Sequence, residues 1–334
     1  MNSDRLNALY ILGDGLFDTV YGPDEQRDIA ARVNVLATPF NGTTILKHPD
    51  LLREADIILS SWGIPALDAT FLAGAPRLKA VFYGAGSVKH FVTDAFWQRN
   101  IVLSSAWGAN ALPVSEFTLA AILFSLKHAF RLSRGYRETR TTAQDRAVPG
   151  AYGTTVGLVS LGMIGRLVRE RLRPFDLKVL AYDPFTKPED AATLGVTLVP
   201  LDVLFRKCDV VSLHTPWLKE TEGLITGALL ASMKPGATFI NTARGAVVRE
   251  AEMIEVLRQR PDLSAVLDVT YPEPPVANSP LYTLPNVLLT PHIAGSMARE
   301  CRRMGRYMVE ELDRFLAGQP LAWQIDKAKA ALLA

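Results

Sequence analysis

Arg244, Glu273 and His292 stand late in the chain in three separate short contexts. These are Asn241-Thr242-Ala243-Arg244-Gly245, Asp268-Val269-Thr270-Tyr271-Pro272-Glu273-Pro274 and Thr290-Pro291-His292-Ile293-Ala294-Gly295. One cation, one carboxylate and one imidazole are the groups that reduction of a 2-oxo acid requires. A guanidinium clamps the substrate carboxylate through two parallel N–H bonds. An imidazolium protonates the carbonyl oxygen as it becomes an alkoxide. A neighbouring carboxylate keeps the imidazole in its charged form. Oxidation runs the same roles backwards, with neutral His292 as base. Each residue also has a plainer reading: Arg244 in a surface ion pair at a helix start, Glu273 solvated in a loop, His292 bonded to backbone in a core. The plain readings are much weaker jointly than singly.

A second group of residues could hold a dinucleotide. Val156 to Gly165 reads as a strand running into a tight turn, then a helix through Leu172. The frame is that of the dinucleotide fingerprint, except that Ser160 replaces the first of its three glycines. Gly162 allows close approach of the pyrophosphate, and Gly165 lets the helix pack near the strand. Alone, such a pattern is equally an ordinary βα turn. Asp183, 21 residues after Gly162, ends the next strand. A carboxylate there accepts hydrogen bonds from the adenosine ribose hydroxyls and repels a 2′-phosphate, so NAD is expected over NADP. Its plain reading is a turn residue before Pro184.

These residues need a scaffold, and the alternation of short apolar runs with helical patterns predicts parallel sheets covered by helices. The first series of expected strands is Ala8–Leu12, Val33–Leu36, Ile57–Leu59, Ala80–Phe82 and Ile101–Leu103. Ser115 to Arg137 is expected as one long linking helix, starting after Pro113 with Ser115 as its cap. The second series is Val156–Ser160, Val179–Tyr182, Val210–Leu213, Thr238–Ile240, Ala265–Leu267 and Val287–Leu289, six strands as in a complete dinucleotide-binding sheet. The helical tail from Met297 to Leu316 is expected to return to the first domain. The expected division is therefore residues 1–104 plus 297–334 for one domain and 105–296 for the other, with hinges near 104 and 296. Pro272-Glu273-Pro274-Pro275 reads as a rigid active-site loop rather than a linker.

Composition narrows the class. With 334 residues, 49% hydrophobic and 21% charged, the chain fits two folded domains. A balance of 36 Lys and Arg against 34 Asp and Glu leaves a net charge of +2, which offers no footprint for nucleic acid or an anionic membrane. A small-molecule partner is expected. Cys208 and Cys301 form neither a disulfide framework nor metal-ligand spacing, so no metal and a reducing cytoplasm are the readings. Asp4 and Arg5 before Leu6 fit neither a signal peptide nor a lipidation motif. The longest apolar run, Phe117 to Leu126, is half a membrane span and reads as a buried helix.

Taken together, these motifs resemble the D-isomer-specific 2-hydroxyacid dehydrogenase family. The resemblance runs over most of the chain. It includes Asn110 to Glu116, the glycine loop with Asp183, Val211-Ser212-Leu213-His214-Thr215-Pro216, and the three catalytic contexts in the family's order. It implies a Rossmann cofactor domain inserted into a flavodoxin-like substrate domain, with the active site in the cleft between them and a homodimer built around the linking helix. It also implies residue roles. Arg244 binds the substrate carboxylate and carbonyl, His292 is the acid/base, and Glu273 bonds His292. Asp268 contacts the nicotinamide carboxamide. Ser160, Gly162, Met163, Ile164, Gly165, His214, Thr215, Pro216, Thr242, Ala243 and Gly295 line the NAD site, His214 without a catalytic role. Gly84, Ala85 and Gly86, with Ser87, resemble the loop that binds the substrate carboxylate. His48, His90 and His128 read as structural, and Trp62 and Tyr83, at strand ends, as core aromatics or a pocket wall.

Three positions depart from the family. Ser160 replaces a glycine, and Met163 stands where the family often has an arginine near the pyrophosphate; both weaken cofactor binding. Lys89 stands near a position that is often aspartate, and either favours an anionic or bulkier acid or is a surface lysine. A competing class is an NADH-sensing, corepressor-type binding protein. A phosphite oxidiser uses a similar triad, and formate dehydrogenases carry glutamine where Glu273 stands. With the sequence ending at Ala334, the added regulatory domain that the phosphoglycerate enzyme often has is not expected, while its short form stays open. Substrate side chain and reaction direction are not written in these residues.

Overall fold

Runs of Val, Ile, Leu and Ala too short for helices become strands buried on both faces, because helices cover each sheet. The computed structural model describes residues 5–141 and 148–332. The segment through Asp4, in which no leader is expected, lies outside them. The chain divides into two compact units, Met1–Asn110 with Ser296–Ala334, and Ala111–Gly295.

The first unit holds β1 (Asn7–Ile11), β2 (Asn34–Val35), β3 (Ile57–Ser60), β4 (Ala80–Tyr83) and β5 (Val102–Ser105). They pair in parallel in the order β2-β1-β3-β4-β5, the flavodoxin-like order. Alternate residues of each strand serve opposite faces. Leu9, Ile11, Ile58, Val81 and Leu103 belong to one core cluster. Ala8, Tyr10, Leu59 and Phe82 pack with Met304, Met308 and Leu312 on the other. Those methionines and Leu312 lie on the helix Cys301–Leu316, so the C-terminal helix covers the first sheet.

The second unit holds β6 (Thr155–Val159), β7 (Lys178–Tyr182), β8 (Thr197–Leu198), β9 (Val210–Leu213), β10 (Thr238–Asn241), β11 (Ser264–Leu267) and β12 (Val287–Leu289). Their order is β12-β11-β10-β9-β6-β7-β8, with every pair parallel. This is the dinucleotide-binding arrangement, with its reversal between β6 and β9. The expected six strands become seven. The strand missed is β8, two residues long and followed within two positions by Pro200, too short for a period to show.

The expected single helix from Ser115 to Arg137 is two helices. The first, α1, spans Trp107–Leu126 with Pro113 inside it, and the second, α2, spans Ala129–Thr139. His128, at φ 47°, adopts a left-handed conformation that ends helical geometry between them. Ser115 does not cap; buried, it donates back to the Leu112 carbonyl at 2.6 Å. The α1 helix begins ten residues before the Phe117 run and has the length and apolar composition of a membrane span, yet 56% of that window is buried inside the protein. Its Ala121, Ile122 and Leu126 pack with Val156 and Leu158 of β6. The helix α3, Met163–Arg171, follows β6.

Candidate active site

In the second unit every expected site residue lies at or just beyond the C-terminal end of a strand, in the turn that enters α3, or in the first turn of that helix. That edge of an open parallel sheet is where ligands bind, at the point of strand reversal. The geometry is built from Asp268, which directly follows β11 and is only 2% exposed. Its Oδ1 accepts from Thr290 Oγ1 at 2.6 Å and Ile293 N at 2.8 Å, and its Oδ2 accepts from Ala294 N at 2.9 Å. Its carbonyl accepts the His292 amide at 3.0 Å. A buried carboxylate requires such donors. Together they fix the turn after β12, where His292 is held at φ 53°. That left-handed backbone costs on the order of 1 kcal/mol for a non-glycine residue, and the Asp268 clamp offsets it.

The turn sets His292 Nδ1 2.6 Å from Glu273 Oε1, with both side chains partly exposed at 46% and 40%. An ionised carboxylate only accepts, so Nδ1 carries a proton and donates. Nε2 is left to exchange a proton with whatever enters from solvent.

Arg244 is positioned by its neighbours. The Asn241 side chain at the end of β10 donates to the Arg244 carbonyl at 3.1 Å and accepts from Ala243 N at 3.0 Å. A Cβ on Gly245 would lie 2.0 Å from the Thr270 carbonyl carbon, so glycine alone lets this turn lie against the segment leading to Glu273. Burial pushes the Arg244 guanidinium below the usual arginine range, while the Glu273 charge acts in the opposite sense. Cation, carboxylate and imidazole are thus brought into one neighbourhood. Arg244 Nη1 donates to the Ala243 carbonyl at 2.6 Å. Thr242 is buried, with its hydroxyl 3.1 Å from that of Thr118 on α1.

The turn after β6 has the features a dinucleotide needs. Ser160 adopts φ 80°, which is why a glycine suits this position. A Cβ on Gly165 would lie 2.2 Å from the Ser160 carbonyl oxygen, so that glycine is required for helix and turn to meet. Gly162 is exposed, and a Cβ there would meet nothing closer than Ser160 Oγ at 3.9 Å. The α3 helix starts without a side-chain cap, leaving the first-turn amides, including those of Met163 and Ile164, to an anion. Asp183 ties turn to strand. Its Oδ2 accepts from Leu161 N at 2.6 Å and lies 3.5 Å from Ser160 Oγ, while its Oδ1 accepts from Phe185 N and Thr186 N. His214 is buried beside this turn, with Nε2 3.1 Å from Ser212 Oγ and Nδ1 unpartnered among the described residues. Burial drives its ring down to about 3, so it is neutral. Thr215 is buried and Pro216 half-buried after it; Gly295 ends the unit. The open glycine, the uncapped helix and an orphaned buried nitrogen fit a bound dinucleotide.

In the first unit, Gly84 follows β4, and its amide donates to the Ser60 carbonyl at 2.7 Å. Ser61 Oγ donates to the Gly84 carbonyl at 2.9 Å, and Ser105 Oγ to those of Ala85 and Gly86 at 2.8 and 2.6 Å. With the carbonyls so engaged, the Gly86 and Ser87 amides have no acceptor among the described residues and stay available to an anion. Lys89 is exposed beside them, and Trp62 is 37% exposed. Tyr83 is fully buried in the core and forms no pocket wall.

Sequence reasoning missed three positioning roles: the Asp268 clamp, the close approach at Gly245, and the serines behind the Gly84 loop. The Asp directly after β11 and the Gly directly after Arg244 were the available signals.

Comparison with known proteins bears on the family and the fold. The family described as D-isomer specific 2-hydroxyacid dehydrogenase, NAD binding domain, matches residues 119–294. A D-3-phosphoglycerate dehydrogenase of Mycobacterium tuberculosis is 35% identical over 266 residues, covering 80% of this chain and 50% of that protein. The chain thus spans about half the length of the curated relatives it matches. The crystal structure of apo D-mandelate dehydrogenase from Rhodotorula graminis is similar with a TM-score of 0.79 and 28% identity, over 97% of this chain and 98% of that one. An NAD-complexed D-isomer specific 2-hydroxyacid dehydrogenase from Lactobacillus delbrueckii ssp. bulgaricus shares the fold, with a TM-score of 0.80 at 21% identity over 95% of this chain and 100% of that one.

Proposed function

The chain belongs to the D-isomer-specific 2-hydroxyacid dehydrogenase family, and on that premise we propose that it transfers a hydride between NAD and C2 of a D-2-hydroxy or 2-oxo acid. The observation that carries this reading is the 2.6 Å contact of His292 with Glu273, with Arg244 close enough to feel the Glu273 charge. In the reducing direction Arg244 holds the substrate carboxylate and carbonyl. His292 Nε2 delivers a proton to the carbonyl oxygen, so the developing charge never stands alone. Glu273 stabilises the imidazolium and fixes its orientation. Of the Gly84, Ala85, Gly86 and Ser87 loop, the Gly86 and Ser87 amides would face the substrate carboxylate, because those of Gly84 and Ala85 already donate to the Ser60 and Tyr83 carbonyls.

When bound, the nicotinamide supplies the hydride. Gly162, Met163, Ile164 and Gly165 would face its pyrophosphate and Asp183 the ribose, which favours NAD over NADP. Ser160, His214, Thr215, Pro216, Thr242, Ala243 and Gly295 would line the rest of its site. Asp268 retains acceptor capacity on Oδ2 for the carboxamide. The same reading carries a homodimer in a reducing cytoplasm, and light scattering on the purified protein tests the dimer.

NADH oxidation across 2-oxo acids tests the reaction, with NADPH in parallel. The panel includes glyoxylate, hydroxypyruvate, pyruvate, phenylpyruvate, branched-chain acids and, because relatives are named for phosphoglycerate, 3-phosphohydroxypyruvate. Turnover with at least one acid is expected, faster with NADH than with NADPH. NADH binding without turnover on any acid would replace this reading with that of a sensor.

A further inference from the structure

On the proposed reading of the turn after β6 as a cofactor site, we infer that Arg166 is the cation that holds the pyrophosphate of the dinucleotide. Helix α3 carries three arginines, and their side chains diverge. Arg169 Nε and Nη2 donate to the Gly195 carbonyl at 3.3 and 3.1 Å, and Arg171 Nη2 pairs with Glu116 at 3.1 Å. Arg166 instead turns back past the start of the helix, where its Nε donates to the Leu161 carbonyl at 2.8 Å. Leu161 is also the residue whose amide donates to Asp183. One residue of the turn is thus held at its amide by Asp183 and at its carbonyl by Arg166.

Nε is one of five guanidinium N–H donors. The other four, on Nη1 and Nη2, have no acceptor among the described residues. Glu170, placed four residues on to pair with Arg166, is taken by Arg173. Asp183 spends its oxygens on backbone amides. A cation so placed opposes the helix macrodipole, whose N-terminus already carries partial positive charge. The helix also starts without a side-chain cap, and Met163 at its first position is neutral. An anion shared between the first-turn amides and the guanidinium relieves both, and a diphosphate has oxygens enough for each. The same helix end holds an orphaned polar atom. His214 is 8% exposed, its Nδ1 has no partner among the described residues, and its ring lies 3.7 Å from where a Cβ on Gly165 would stand. The charge that Met163 does not supply thus comes from three residues further along α3.

Fluorescence titration of the intact protein with NADH and NADPH, with ADP and adenosine as competitors, tests the assignment. Arg166 is exposed, so Arg166→Gln should fold. It should weaken NADH and ADP by at least about tenfold, roughly the worth of a charge-assisted bond, and leave adenosine unchanged. Arg166→Lys, which keeps the charge, should recover part of that loss. The fall of NADH affinity with added salt should be shallower in Arg166→Gln than in the unaltered protein. Equal NADH affinity in Arg166→Gln and the unaltered protein would overturn the inference. So would adenosine weakened as much as ADP, which marks a turn distorted by loss of the Leu161 bond, or a loss confined to NADPH, which puts the guanidinium at the 2′-phosphate. Failure of the unaltered protein to bind NADH at all would overturn the cofactor reading itself, and the role of Arg166 with it.

Discussion

His292 combines a strained backbone, a carboxylate on one ring nitrogen and an open second nitrogen, a set of properties that structure alone does not require. Replacing it with Asn keeps a polar side chain but removes the proton donor. His292→Asn should lower kcat by about 10²–10⁴-fold, the range for losing a general acid, with NADH affinity nearly unchanged in a fluorescence titration. Near-normal turnover would remove His292 from the mechanism. His214 is the opposite kind of histidine, buried and driven down from 6.5 to about 3. The folded unit keeps it neutral, while the unfolded chain takes up a proton as pH falls below about 6.5. Stability tied to this ring is therefore complete above that pH and is lost progressively as pH drops toward 3. Urea midpoints measured from pH 7 to pH 4 should fall more steeply for the unaltered protein than for His214→Gln; parallel curves would exclude this linkage.

The strands and turns decide where such residues come to rest. A methyl group on Gly245 would press on the Thr270 backbone at 2.0 Å, and backbone cannot swing aside as a flexible side chain can. Gly245→Ala should cost about 1–3 kcal/mol in stability through overpacking. It should also lower kcat/KM by about 10²-fold, because a displacement near 1 Å misplaces Arg244; an unaffected kcat/KM would mean the turn tolerates a shift. Most elements were legible in the sequence because Val, Ile and Leu runs bounded by Gly, Pro and Asn have one natural reading. The observed strands that correspond to the expected ones differ by at most two residues at either end. What was not legible depends on long-range partners. The two residues of β8 are strand only because β7 offers a ladder, and the helix break at His128 carries neither glycine nor proline. The contexts proposed for catalysis are visible as polar residues just past apolar runs. That Asp268 clamps the His292 turn could not be read without knowing that positions 290, 293 and 294 fold back onto it.

At the scale of the molecule, the four hydrophobic cores among the described residues divide cleanly. Two lie wholly within Met1–Asn110 and Ser296–Ala334, and two wholly within Ala111–Gly295. Only the second unit is contiguous in sequence. A chain of residues 111–295 contains all seven strands of its sheet, α3, and the α1 residues Ala121, Ile122 and Leu126 that cover β6. It should fold cooperatively when expressed alone, and it should bind NADH without turning over any 2-oxo acid, because the Gly84 loop proposed to bind the substrate carboxylate is absent. Residues 1–110 should not fold alone. Without Met304, Met308 and Leu312, the sheet face bearing Ala8, Tyr10 and Phe82 would be left to water, and burial of such side chains is worth roughly 1.5–3 kcal/mol each. Circular dichroism melts and NADH fluorescence on the two fragments separate the outcomes. A sharp melt for 1–110, or no NADH binding by a folded 111–295, would show that the cores are not the independent units their packing describes.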